Sequence, residues 1–282
     1  MRILTFNICW EAIKGATDSP HTLARKCYKL ADGTTICMRN LIDFMNSCDS
    51  YDIIGIQESI LYHQIIKKST TLQKLNYISH RSGDEDMITF YNPSYKLKYV
   101  SLDEFEQGRP FQILVFETCL IIQVHNSHAQ SIPLLEKHIS RGFDSLRYLN
   151  SNRPIAPSVY NKICENIASG AIRVIALGDF NLPWVKSKFS LNPFKYSKNT
   201  RHAQYTKHSD NGVNSVNSVK IKADKIIKSC CSDKLAEHVN HIHSGDFILA
   251  NTPSSTPIIN QLPETYDITK IISDHLPVMA DI

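Results

Sequence analysis

The chain has no apolar run near the roughly 18 residues that a membrane-spanning helix needs, and its polar residues recur throughout. Its first residues, Met1-Arg2-Ile3-Leu4-Thr5-Phe6-Asn7, lack the apolar core and small-residue cleavage site of a secretory signal and read directly as a strand. Nothing marks export, so an intracellular location, cytoplasm or nucleus, is expected. No C-x-x-C spacing occurs among the eight cysteines, which argues against a zinc ribbon. Several cysteines sit in apolar contexts, as reduced core cysteines do. The adjacent pair Cys230-Cys231 is a poor candidate for a bridge between neighbours. There is no internal repeat, no convincing linker and no strong charge imbalance. A net charge of +4 permits a phosphate-bearing partner without demanding one.

What is present is an alternation of strand-like and helix-like segments. With 282 residues and 42% hydrophobic content, the chain can bury a large core, and one α/β domain over residues 1–282 is expected. Strand-like runs are Arg2–Ile8, Asp52–Gln57, Met87–Tyr91, Phe111–Phe116, Cys119–His125, Arg173–Leu177, Asp246–Ala250 and Val278–Ile282. Several are continuously apolar, as strands covered on both faces are. Helical spacing predicts helices over Met38–Cys48, Pro133–Leu149 and Ser158–Ala168, whose apolar stripes are core faces. Mixed elements of this kind suit a layered α/β protein with both faces of its sheets covered. Trp10–Ile36 and Lys186–Gly245 read as long loops, which in a compact domain are usually functional or mobile.

Polar residues gather where these strands end. Asn7 closes the first, and Glu58 follows Ile53-Ile54-Gly55-Ile56-Gln57. His128 lies just beyond the run that ends in Val124-His125. Asp179 and Asn181 follow Val174-Ile175-Ala176-Leu177-Gly178, Asp246 opens another strand, and Asp274-His275 precedes the last. Strand ends are where sites collect in α/β proteins. Each residue alone has a plainer role: a turn residue, an Asx turn, a carboxylate at a helix start. Their recurrence in one chain favours a site. Carboxylates with an amide suit a hard, oxygen-preferring ion such as Mg²⁺, with Mn²⁺ as a substitute. Histidines backed by carboxylates suit proton transfer and stabilisation of a charged phosphoryl oxygen. Together they point to metal-assisted attack of water on a phosphoester.

These segments resemble the endonuclease/exonuclease/phosphatase superfamily, the deoxyribonuclease I-like proteins, over nearly the whole chain and in order. Thr5-Phe6-Asn7 is similar to the first-strand motif, Gln57-Glu58 to the metal-binding Q-E, and Asn126-Ser127-His128 to N-[TS]-H. Gly178-Asp179-Phe180-Asn181 matches G-D-x-N, and Ser273-Asp274-His275 matches S-D-H. The resemblance implies a four-layer α/β sandwich of two packed mixed β-sheets flanked by helices. It implies Glu58 as the principal Mg²⁺ ligand, with Asn7 close by and Asp274 joining the metal side. Asp179 would orient or deprotonate the attacking water and Asn181 would hold phosphate and water. His275, supported by Asp246, would contact the scissile phosphate or act as base. His128 would stabilise the transition state or assist the leaving group, with Glu85 as its acidic partner and Asp84 and Asp86 as rivals for that place.

Superfamily members cleave DNA, RNA, phosphoinositides and sphingomyelin, so the fold does not give the substrate. The chain departs from inositol polyphosphate 5-phosphatases: Leu182-Pro183-Trp184 follows Asn181, and Gly245 precedes Asp246. Phe6-Asn7-Ile8-Cys9-Trp10 looks like the first motif of sphingomyelinases, yet no amphipathic anchor accompanies it. Residues 186–245 mix lysines and arginines, among them Lys186, Lys188, Lys195, Lys198, Arg201, Lys207, Lys220, Lys222, Lys225 and Lys228, with Phe189, Phe194, Tyr196 and Tyr205, a composition that can track a phosphate backbone and stack bases, or that can be a solvated loop. The expectation is a nuclease acting on DNA or RNA. A lipid phosphodiesterase or phosphatase is the alternative, and an inactive binding module a third reading.

Overall fold

The computed structural model describes residues 1–15, 26–127, 132–181, 246–250, 262–267, 270, 272–273 and 275–282. In chain order the described elements are β1 (Arg2–Asn7), α1 (Trp10–Lys14), α2 (Ile36–Asn46), β2 (Ile53–Gln57), α3 (Tyr62–Lys68), a 3-10 turn (Leu72–Lys74), β3 (Asn76–Ser82), β4 (Glu85–Tyr91), β5 (Leu97–Glu104) and β6 (Pro110–Phe116). They continue with β7 (Cys119–His125), α4 (Ile132–Asp144), β8 (Arg147–Tyr148), α5 (Pro157–Ala168), β9 (Arg173–Asp179), β10 (Asp246–Ala250) and β11 (Val278–Asp281).

The strands form two mixed sheets, β11-β1-β2-β4-β3 and β10-β9-β7-β6-β5-β8. Only β1–β2 and β7–β9 are parallel; every other described strand pair is antiparallel. The alternation of side chains along a strand sorts the core. In β1, Ile3 faces the second sheet, whereas Leu4 and Phe6 pack with Ala12, Ile13, Met38, Leu41 and Met45 of α1 and α2. Helices α4 and α5 bury Leu135, Ile139, Phe143, Ile163 and Ile167 against the second sheet. The result is the four-layer α/β sandwich that the resemblance implies.

Between the sheets the lining changes along the strands. Ile3, Ile53, Tyr91, Ile121 and Ile175 make an apolar end. A buried amide and hydroxyl layer follows: Gln57 Nε2 donates to Thr5 Oγ1 (3.1 Å), Thr89 Oγ1 to Gln112 Oε1 (2.7 Å) and Gln123 Nε2 to the Ile56 carbonyl (3.0 Å). The sheets approach so closely there that a Cβ on Gly55 would lie 2.2 Å from Leu177 Cδ1. At the far end the same inward positions carry Asn7, Glu85, His125, Asp179 and Asp246.

Several expectations are corrected. The helix expected over Pro133–Leu149 ends at Asp144; Leu146 is a core residue, and Arg147–Tyr148 pairs with β5 as a short edge strand. Trp10–Ile36 is not loop throughout: it opens with α1, and its described remainder is tied to α2. A disulfide that was not expected joins Cys27 to Cys37, with 5.4 Å between their Cα atoms, within the range a disulfide spans. Cys9, Cys48 and Cys119 are buried thiols outside any disulfide, as expected of core cysteines. β3, β5 and α3 were not expected: β3 is a polar edge strand, and the other two lack a continuous apolar signal. Cys230-Cys231 and the basic 186–245 segment lie outside the described residues. Among the described residues, no helix is long and apolar enough to cross a membrane.

Candidate active site

Strand register assembles the centre. Asn7 pairs with Gln57 across β1–β2, His125 with Asp179 across β7–β9, and Asp179 with Asp246 across β9–β10. One rung of the second sheet thus places an imidazole and two carboxylates side by side, facing Asn7 of the first. Asn7 Nδ2 donates to Glu58 Oε1 (3.1 Å) and to Asp179 Oδ2 (3.2 Å), joining the two sheets through one amide. Glu58 Oε2 accepts from the Trp10 backbone N–H (3.2 Å), and Asn7 Oδ1 from that of Cys9 (3.2 Å), so the start of α1 orients both side chains.

Asp179 is held from several directions. Its Oδ1 accepts from the Asn181 backbone N–H (2.9 Å), and its Oδ2 from Asn181 Nδ2 (3.1 Å), which also donates to the Asn126 carbonyl (2.7 Å). Two imidazoles face it: His275 Nε2 lies 4.0 Å and His125 Nε2 3.8 Å from Asp179 Oδ2. Each imidazole is backed by a carboxylate through its other nitrogen, His275 Nδ1 by Asp246 Oδ2 and His125 Nδ1 by Glu85 Oε2, both at 2.8 Å. Ser273 fixes the last segment to the first strand, its hydroxyl donating to the Asn7 carbonyl (2.7 Å) and accepting from the His275 N–H (3.2 Å).

The backbone around the centre is unusual. Four described residues other than glycine have positive φ, and three of them are Cys9 (53°), Glu58 (58°) and Asn181 (49°). Such conformations are costly and cluster at functional sites, where the surroundings over-determine them. Gly178 (φ 133°) precedes Asp179, and a Cβ there would lie 2.0 Å from the Val124 carbonyl oxygen. The glycine of Gly178-Asp179-Phe180-Asn181 is therefore required by close pairing with Val124 of β7, not by catalysis.

No family model matches the chain. Along its whole length it is 24% identical, over 297 residues, to an uncharacterized protein of Acanthamoeba polyphaga mimivirus, and it spans 50% of that protein. Among solved structures it is similar to the human Nocturnin catalytic domain with bound sulfate anion (12% identity, TM-score 0.54, covering 100% of this chain and 93% of that one). It is also similar to an endonuclease/exonuclease/phosphatase from Bacteroides vulgatus (16%, 0.52, 99% and 97%). A third is D. rerio TDP2 complexed with single strand DNA product (13%, 0.50, 99% and 97%). The chain has the deoxyribonuclease I-like fold.

In this deoxyribonuclease I-like frame the expected residues separate into three groups. Asn7, Glu58, Asp179, Asn181, Asp246 and His275 come together in one centre. Glu85 also reaches it, but its partner is His125, which was not among the expected residues; Asp86 faces the other side of β4, in register with Arg81. His128 and Asp274 lie outside the described residues. The signal for His125 was its place on β7: it shares parity with Ile121 and Gln123, which face the other sheet. Arg109 was also unexpected. It lies 3.3 Å from Glu85 Oε1 and is hydrogen-bonded to His125 Nε2.

Electrostatics distinguish the carboxylates. Burial works against ionisation of Asp179, but His275, His125, the Asn181 N–H and the Asn7 amide together hold its carboxyl below the usual range. Burial likewise opposes the charge on Glu85, and the His125 hydrogen bond and Arg109 outweigh it. Asp246 goes the other way. Its burial, reinforced by the charge of Asp179 across the rung and only partly offset by His275, pushes its carboxyl up to about 6.

Glu58 and Asn7 offer hard oxygen donors at the mouth of the centre. Among the described residues no lysine or arginine neutralises Glu58, and only His125 Nε2, 3.6 Å away, pairs with it. That donor set fits a divalent ion of the Mg²⁺ kind.

Proposed function

We propose that the chain is a single-domain, Mg²⁺-dependent phosphodiesterase that hydrolyses phosphodiester bonds of nucleic acid. The observation that carries this reading is Asp179, buried and ionised between two carboxylate-backed imidazoles and joined to Glu58 through one amide of Asn7. A carboxylate so placed can hold and deprotonate a water molecule, and an imidazole on each side can stabilise or protonate phosphoryl and leaving-group oxygens. Glu58 and Asn7, with Asp274, would hold Mg²⁺, with Mn²⁺ as a substitute, and the ion would supply positive charge to a phosphoryl oxygen.

Each residue of the chain then has a defined part. Asn181 keeps both oxygens of Asp179 oriented and presents its amide beside them. Asp246 fixes the ring of His275 so that Nε2 faces the reacting phosphate. Glu85 backs the His125 ring through Nδ1, and Arg109 adds a cation against that ring. Nucleic acid as substrate is supported by the similarity to a TDP2 structure that holds single strand DNA product.

The substrate class is tested by one panel: labelled DNA and RNA oligonucleotides, sphingomyelin and a phosphoinositide, each with Mg²⁺. Cleavage of an oligonucleotide that weakens steeply as salt rises is expected. Intact oligonucleotides alongside hydrolysed lipid would replace the nucleic-acid reading with the lipid one.

Asp246 also sets a pH dependence. With its carboxyl raised from 3.8 to about 6, the folded chain favours its protonated form, so this group contributes stability at low pH that is lost as pH rises through 6. Function follows the opposite course, because protonation removes the anion behind His275. A pH profile of kcat/KM should fall as pH drops through about 6, and Asp246→Asn should be slower and lack that acidic limb. An unchanged limb in the variant would assign it to another group.

A further inference from the structure

Residues 59–83, the whole connection between Glu58 and the Asp84-Glu85 corner, contain Lys67, Lys68, Lys74, Arg81, His63 and His80 and no aspartate or glutamate. This stretch folds as α3, the 3-10 turn and the edge strand β3. Each end adjoins the catalytic centre, since Glu58 immediately precedes it and Ser82 pairs with Glu85.

On the outer face of this unit three aromatic rings meet. The Tyr62 ring lies 3.9 Å from that of His63 and 6.0 Å from that of Tyr77, centroid to centroid. The Tyr62 hydroxyl is hydrogen-bonded to Ser79 (3.1 Å), which fixes its ring against β3. Tyr77 leans on Phe90 beneath it (5.9 Å) and yet is 40% exposed, one of four large hydrophobic side chains so exposed among the described residues. His63, Lys67, Lys74 and Arg81 are exposed; Lys67 follows His63 by one turn of α3, and Arg81 shares the Tyr77 and Ser79 side of β3. Lys68 is drawn off by Asp32 (3.7 Å), and Asp86, directly across from Arg81 on β4, is buried. Tyr62 follows Glu58 by four residues, so the chain places it at most about 14 Å from the centre.

We propose that this face is a binding track for single-stranded nucleic acid, continuous with the catalytic centre and resting on the nucleic-acid reading of that centre. Bases stack on Tyr77, Tyr62 and His63, while Lys67, Lys74 and Arg81 meet the phosphates. Aromatic faces accept any unpaired base, and a segment whose own charges are all cationic tolerates the backbone. A duplex hides its base faces and should bind less well here.

The test separates binding from cleavage. The full chain carrying Glu58→Gln is titrated, in EDTA, into a fluorescein-labelled single-stranded oligonucleotide, and anisotropy is read. Adding Tyr77→Ala should weaken binding roughly tenfold, the usual loss when one stacking ring is removed, whereas Tyr77→Phe should retain it. Lys67→Glu with Lys74→Glu should weaken binding and flatten its salt dependence. Unchanged affinity in Tyr77→Ala, equal binding of the matching duplex, or no binding by the parent would each overturn the track. If the platform variants weaken binding but the native chain with Mg²⁺ leaves every oligonucleotide intact, the track stands and the nuclease reading fails.

Discussion

Asp179→Asn should lower the rate of phosphodiester cleavage by about 10³-fold or more while leaving the chain folded, since loss of a positioned base alone costs typically 10²–10⁴-fold. The size follows from the number of roles that converge on one carboxylate. Its Oδ2 accepts from Asn7 and Asn181 and faces both His125 and His275. An asparagine of the same shape keeps one oxygen acceptor, but it cannot take a proton and removes the anion that the two imidazoles face. The fold should tolerate the change, because an ionised carboxylate this deeply buried is itself costly to keep. Circular dichroism and a melting curve check the fold, and single-turnover cleavage checks the rate. A variant within a few-fold of native activity would remove Asp179 from the mechanism.

Gly178→Ala should have the largest effect on stability. The new Cβ would lie 2.0 Å from the Val124 carbonyl oxygen and 3.0 Å from the carbonyl carbon and amide nitrogen of the same residue, all backbone of the paired strand. Rotating a flexible side chain away cannot relieve that contact. The φ of 133° adds a conformational penalty for any residue with a Cβ. Overpacking and backbone strain together should cost about 3–5 kcal/mol, a large share of a stability of roughly 5–15 kcal/mol. Thermal unfolding should shift down on the order of 10 °C. Activity should fall as well, since relief requires β7 to move, and β7 carries His125 beside Val124. A variant that melts like the native chain would show that β7 and β9 do not pair as closely at Val124 and Gly178 as described.

The two predictions bracket what was legible in the sequence. Continuous apolar runs and strand-end polarity made most of the second sheet and the Asn7, Glu58, Asp179, Asn181, Asp246 and His275 set readable, because those residues sit where buried strands leave a core. Glu85 was readable as an acidic partner, but not its partner, because the choice between His125 and His128 depends on the register of β7 against β9. Arg109 carried no local signal: it reaches the centre only because the β5–β6 hairpin folds over it. The Cys27–Cys37 bond was hidden because residues ten apart meet only where Lys29 pairs with Thr35 in a short local hairpin. β3 was missed because an edge strand needs no apolar run, yet that polar, basic character is what makes its outer face a candidate substrate surface.

The most direct measurement is single-turnover cleavage of an end-labelled single-stranded oligonucleotide by the full chain, with Mg²⁺ or with excess EDTA, beside Glu58→Gln under the same conditions. The expected result is cleavage only by the native chain and only with the metal. Equal cleavage in EDTA, or by Glu58→Gln, would contradict a metal-assisted phosphodiesterase built on Glu58 and Asp179.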